Sequence, residues 1–203
     1  MTMTPADELR AVRAVLDGDT DRFEELVRAN EAAVYRLCRR MLGNDEDALD
    51  ASQEAFFKAF RSLRSFRGES RFSTWLYRLA SNVCLDMLRK RPEAPPLSAD
   101  EDERVAVLPD RGPTPQETLE QSEIRAAVER ALETLPPEFR EAVVLRDVSG
   151  LSYDEIGRIA GLEPGTVKSR IFRARKKLAQ ALLADGNFAG YAPSKRAKGG
   201  DRI

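Results

Sequence analysis

The 203-residue chain contains no histidine. Imidazole is the side chain that titrates near neutral pH and the commonest metal ligand, so histidine-based acid–base catalysis and the usual zinc sites are excluded. Cysteine is scarce: Cys38 and Cys84 stand far apart in sequence, form no CxxC pair and lie on apolar helix faces. They read as buried free thiols of a reducing compartment. No apolar run approaches the roughly 18 residues of a membrane span, and the N-terminus has no signal-peptide apolar core. The expectation is a cytoplasmic protein without membrane insertion. Strand-period alternation is missing from every segment, and no cluster of acid–base or metal-binding side chains emerges, so neither an enzyme nor a cofactor is expected.

What the chain has is charge and helical periodicity. Charged residues make up 33% and the net charge of −1 conceals blocks: −6 over residues 1–56, +7 over 57–92, −7 over 93–123 and +5 over 124–203. Alternating blocks of this size indicate several surfaces with different partners, unless each is a solvated helix face.

The stretch 50–91 organises the first half. A helix predicted over 45–63 carries Ala48, Ala51, Ala55 and Ala59 as a smooth stripe that lets a neighbouring helix approach closely. Asp50, Gln53, Glu54 and Phe57 recur at helical spacing on one polar face. That face is either an exposed surface or a docking site for a basic partner helix. A loop over 64–71 comes next, then a helix over 73–91, together basic and rich in Phe66, Phe72, Trp75 and Tyr77. Rings among arginines can stack on unpaired bases while the cations hold phosphates. Phe72 and Trp75 have two readings, core aromatics or base platforms. Arg78 and Asn82 share a polar face of that second helix. Upstream, helices are predicted over 6–16 and 21–42.

Residues 93–113 hold Pro95, Pro96, Pro109, Pro113 and the acidic run Asp100–Glu103 without helical period, a flexible linker that cannot bury enough surface to fold. A polyanionic spacer between two basic domains can also enter a nucleic-acid channel. Four units result: a domain at 1–92, the linker at 93–113, a second domain at 114–184 and a disordered tail at 185–203. The fold class is all-α, with two helical domains.

In the second domain, Thr114–Glu117 and Ser152–Glu155 are capping boxes. The first begins a helix to Leu135 with Leu119, Ile124, Ala127, Val128, Ala131 and Leu132 inward. Residues 138–148 form another. A short helix to Ala160, a turn at Gly161 and a basic helix to Ala184 make a helix-turn-helix. At 100° per residue, Val167, Ile171, Ala174 and Leu178 point inward. Ser169, Phe172, Arg173 and Lys176 point outward, with Lys168 at the edge. Residues 164–182 contain six cations and no acid. An outward Phe172 suits a thymine methyl, and Arg173 or Lys168 can reach guanine acceptors or phosphates.

The segments DASQEAFFKAFRSLRSFRGESRFSTWLYRLASNVCLD and LPPEFREAVVLRDVSGLSYDEIGRIAGLEPGTVKSRIFRARKKL, in this order, resemble the extracytoplasmic-function (ECF) group of bacterial RNA polymerase sigma factors of the sigma-70 family. The resemblance implies sigma regions 2 and 4 on a linker. It implies that Asp50, Gln53, Glu54 and Phe57 dock on the β′ clamp helices of core RNA polymerase. It implies that Phe66, Ser70, Arg71, Phe72, Arg78 and Asn82 capture the melted −10 strand, and that Lys168, Ser169, Phe172, Arg173 and Lys176 read the −35 element. Further implied partners are the β flap and an anti-sigma protein. A free-standing helix-turn-helix regulator is the rival reading. It leaves the Asp50 face and the aromatic loop without a use.

Overall fold

The computed structural model describes residues 3–91 and 115–184, and the side chains of the second segment from 123 onward. The linker, the tail and the capping box at Thr114 expected from the sequence lie outside the described residues. All regular structure within them is helical: α1 (Pro5–Leu16), α2 (Arg22–Leu42), α3 (Asp45–Ser62), α4 (Phe72–Lys90), α5 (Pro115–Glu133), α6 (Pro137–Val143), α7 (Tyr153–Ala160) and α8 (Pro164–Ala184).

The first four helices form a bundle in which α2, α3 and α4 pack mutually and α1 lies against α2 and α4. Local chemistry sets the ends. Thr4 caps α1, with Pro5 at its first position. The Asn44 side chain accepts from the Asp47 N–H at the start of α3. Between α2 and α3 the chain reverses at Gly43, whose φ of +86° favours glycine. The alanine stripe is fully buried, and with no side chain beyond Cβ it lets α3 lie close against α2 and α4. Cys38 of α2 and Cys84 of α4 are buried free thiols that meet across the helix interface. The Cys84 thiol is pushed up by its bond to Cys38 and then by burial, so it stays protonated.

The second four helices pack around α8. A π turn at Val144–Val148 extends α6. Arg146 steadies the connection to α7, donating to the Leu151 carbonyl at 2.6 Å and lying 5.0 Å from the Tyr153 ring centre. The capping box at Ser152 and Glu155 forms as the spacing predicts. Val167, Ile171 and Ala174 are buried and Leu178 is half-buried, in agreement with the helical-wheel reading. Ile124 departs from expectation. It is 47% exposed rather than inward, although Ala127 and Ala131 on the same helical face are buried.

The two bundles are not separate bodies: one hydrophobic cluster runs through both. Where α2 ends, Arg140 of α6 is 6% exposed and donates to the carbonyls of Met41 at 2.7 Å and Glu133 at 2.6 Å. Arg39 and Arg40 of α2 both reach Glu129 of α5, at 3.2 and 3.0 Å. The Thr74 hydroxyl of α4 donates to Glu155 of α7 at 3.2 Å. These partners lie up to 99 residues apart, and helical period carries no information at that range.

Candidate nucleic-acid interface

Three surfaces stand out, and the sequence anticipates most of their residues. On α3, Asp50, Gln53, Glu54 and Phe57 line one shallow exposed depression. Glu54 pairs with Lys58 at 3.5 Å, one turn on. Phe57 is 54% exposed, with the Arg61 guanidinium 5.4 Å from its ring centre. Phe60 stacks edge-on against Phe23 at 5.0 Å and stays partly open, as does Leu49. The face is acidic and polar with apolar patches beside it. Desolvated apolar contacts give a partner affinity, and the carboxylates select a basic one.

The second surface is the loop between α3 and α4, which begins with a short 3-10 turn at Leu63–Ser65. Phe66, Phe72 and Trp75 form a three-ring cluster with centroid separations of 5.4 to 5.8 Å. The sequence leaves Phe72 open between base platform and core. The structure places it 1% exposed as the first residue of α4, and an enclosed ring offers no face to a base. Phe72 is corrected from a DNA contact to the floor of the loop. Phe66 and Trp75 are half-buried on that floor and keep edges open. Arg71, Arg78 and Asn82 are exposed, and Ser70 is partly so.

A cleft of about 390 Å³ runs between this loop and α7, with Ser70, Trp75 and Arg78 on one wall and Arg158 and Ile159 on the other. The α7 wall was not anticipated. The carboxylate of Glu155 is pushed up by burial, but bonds from the Ser152 N–H and hydroxyl and from Thr74 outweigh this and hold it below the ordinary value. One side chain therefore caps α7 and ties it to α4. A second unanticipated residue is Glu8 of α1, 3% exposed. It accepts from Arg71 Nη2 at 3.0 Å and from the Phe72 backbone N–H at 3.1 Å. An acid in the first turn of a predicted helix reads as a partner of that helix's own dipole, so nothing in the pattern pointed across to α4.

The third surface is α8. Lys168, Ser169, Phe172, Arg173 and Lys176 are all exposed along one side, Phe172 at 72%. Among the described residues, Lys168, Arg173 and Lys176 make no ion pair, whereas Arg175 forks onto Asp147 of the π turn, its Nε at 3.0 Å. The helix thus divides its cations between holding the fold and facing solvent. The opposite side of the helix, with Val167, Ile171 and Ala174, is buried, which leaves this outer face to solvent. Among the described residues no group of acids and thiols is placed to hold a metal ion, and no helix is long and apolar enough to cross a membrane.

The family model for sigma-70 region 2 matches residues 26–92, and that for sigma-70 region 4 matches residues 125–178. The ECF RNA polymerase sigma factor SigE of Mycolicibacterium smegmatis is 42% identical over 184 residues, covering 88% of this chain and 70% of that protein. The ECF RNA polymerase sigma-E factor of Escherichia coli K12 is 40% identical, covering 82% of this chain and 90% of that protein. Among solved structures, CnrH in complex with the cytosolic domain of CnrY aligns with a TM-score of 0.65 at 25% identity, over 88% of this chain and 99% of that one. The sigma factor RpoE in complex with the anti-sigma factor NepR from Bartonella quintana aligns at 0.60 and 27% identity, over 80% and 98%.

Proposed function

Because the chain belongs to the ECF sigma factors of the sigma-70 family, non-enzymatic subunits that direct promoter-specific transcription initiation by RNA polymerase, we propose that its three surfaces divide that work. Asp50, Gln53, Glu54 and Phe57 dock on a basic, helical surface of the core enzyme, the β′ clamp helices. The loop at 66–71 with Arg78 and Asn82 receives the melted −10 strand, its cations on phosphates and the open edges of Phe66 and Trp75 against bases. Lys168, Ser169, Phe172, Arg173 and Lys176 enter the major groove at the −35 element. Residues 1–92 and 114–184 are assigned to the two DNA-reading units, 93–113 to their link and 185–203 to a tail. The second unit also meets the β flap. The work takes place in the cytoplasm, where core polymerase and promoter DNA meet. An anti-sigma protein is a further partner, as for the solved relative bound to NepR.

The mechanism is binding. Docking fixes two DNA readers at a set spacing, so engagement of one raises the effective concentration of the other. Unpairing costs a few kcal/mol, offset by stacking of exposed bases at about 1–3 kcal/mol each. The observation that carries this reading is the outer face of α8, where Phe172 stands 72% exposed between uncommitted cations. A ring that far from any core has an open contact to make.

Run-off transcription with core polymerase of the same organism on its genomic fragments, with and without this protein, tests the assignment. Discrete start sites that need the protein, aligned, should yield paired −10 and −35 elements. A footprint by the protein alone, with no new transcripts, would favour the free-standing regulator.

A further inference from the structure

The loop assigned to the −10 strand is framed by the N-terminal helix. Helix α4 begins at Phe72, and its N-cap residue, Arg71, supplies no side-chain cap of its own. The first N–H groups of a helix lack intrahelical acceptors and carry the positive end of its dipole. Glu8 fills that position from α1, one oxygen on the Phe72 N–H at 3.1 Å and the other on Arg71 Nη2 at 3.0 Å. Its side chain is 4% exposed while that of Arg71 is 45% exposed. The bond is therefore sheltered at one end and open at the other. The Met3 carbonyl also accepts from Arg71 Nη2, at 3.4 Å. Midway along the loop, Gly68 adopts φ +73°, and a side chain added there would meet Leu9 of α1.

We propose that Glu8 is a positioning residue for −10 strand recognition: its buried carboxylate caps α4 and clamps the Arg71 guanidinium by one edge, leaving the other edge directed at the DNA strand. The proposal rests on the reading of this loop as the −10 site. A guanidinium presents five donors in a rigid plane. Among the described residues the bonds to Glu8 and Met3 take only Nη2, so Nε and Nη1 stay available for a phosphate or a base edge. Without the clamp, Arg71 is a flexible chain and must be ordered at each binding event. A charged carboxylate joined to both a helix start and a guanidinium is the stronger, charge-assisted kind of hydrogen bond.

The test uses holoenzyme, core polymerase with the full chain, and a single-stranded oligonucleotide carrying the −10 element from a start site mapped by run-off. A second set carries each −10 base changed in turn. Variants are Glu8→Gln, Glu8→Ala, Arg71→Ala, the Glu8→Gln/Arg71→Ala pair and, as an independent probe of the loop, Asn82→Ala. Glu8→Gln keeps the size of the side chain and an acceptor for the Phe72 N–H, so it should fold, with a melting temperature lowered less than that of Glu8→Ala. It should weaken cognate strand binding about tenfold, equivalent to one charge-assisted bond, and flatten discrimination among the altered bases. Core binding and −35 duplex binding should stay as in the parent. The double variant should lose no more than Arg71→Ala alone, because the two residues act as one unit. Parental affinity and base discrimination in both Glu8 variants, while Arg71→Ala and Asn82→Ala lose binding, would overturn the role of Glu8 and leave the loop assignment standing. A Glu8→Ala loss that tracks melting temperature, with Glu8→Gln parental, would overturn it in favour of a purely structural cap. Parental binding in the Arg71 and Asn82 variants as well would overturn the −10 assignment and this proposal with it.

Discussion

At the scale of single residues, burial separates side chains that the pattern leaves equivalent. Phe72 and Phe172 are both phenylalanines beside arginines in basic helical segments, yet one is 1% and the other 72% exposed. Phe72→Ala should destabilise the protein by about 3–5 kcal/mol, the range for a buried phenylalanine, read as a lowered midpoint in urea unfolding. Phe172→Ala should leave that midpoint unchanged and weaken −35 DNA binding. Glu141 of α6 is a sharper case, 3% exposed and without an ion pair among the described residues. Burial foremost raises its carboxyl above the ordinary glutamate range, against pulls from Arg170 of α8, the Ser81 hydroxyl and Arg89 of α4 and with a push from Glu138. A raised folded value means that the native state binds the proton more tightly than the unfolded chain. Its charged form therefore lowers stability at pH above the folded value, and that penalty fades as pH falls through it. Glu141→Gln should raise the melting temperature at about pH 8 and lose this advantage as the buffer approaches the ordinary glutamate range near 4.3. A gain independent of pH would mean that the carboxylate charge is not what burial opposes.

At the scale of elements, amphipathic period did most of the work, and its success and failure are both physical. The alanine stripe of α3 and the inner row of α8 were legible because every third or fourth residue of a helix meets the same neighbour. The polar face of α3 was equally legible as a face, but periodicity could not say whether it was covered. The structure leaves it open. Gln53→Ala with Glu54→Lys should weaken capture of core polymerase, measured by pull-down of β′, while the helical circular dichroism stays that of the parent. Undiminished capture would remove this face from the docking assignment. On α8, Arg173→Ala should weaken promoter duplex binding by about 1–3 kcal/mol with less effect on random duplex if it reads a base. Equal losses on both would make it a phosphate contact. Ile124 was misplaced because it shares a helical face with the buried Ala127 and Ala131, and period gives no signal for where along that face the packing stops.

At the scale of the whole molecule, the second bundle sits on the first and narrows access to the loop, since Arg158 and Ile159 wall the cleft opposite Trp75. The fastening is polar and long-range: Glu129 bridges Arg39 and Arg40, Arg140 enters the end of α2, and Thr74 meets Glu155. Glu129→Lys sets a third cation beside Arg39 and Arg40, so it should open the pair of bundles, seen as a larger radius of gyration in X-ray scattering of the free protein. An unchanged radius would show that the apolar contacts hold the closed arrangement without this ion pair.

Local pattern was enough to establish that the protein is all-helical, where its helices begin and end to within a residue or two, which side of each helix-turn-helix element is apolar, and the family to which it belongs. These properties depend on neighbours within a turn or on motifs that stay in register along the chain. Tertiary packing was needed to make Phe72 floor rather than platform, to carry Glu8 from α1 to the start of α4, to bring Cys38 against Cys84, and to face α7 toward the loop. Each of these rests on which surfaces remain in water after helices distant in sequence have packed. That selection is made by burial across the whole molecule, which no local period encodes.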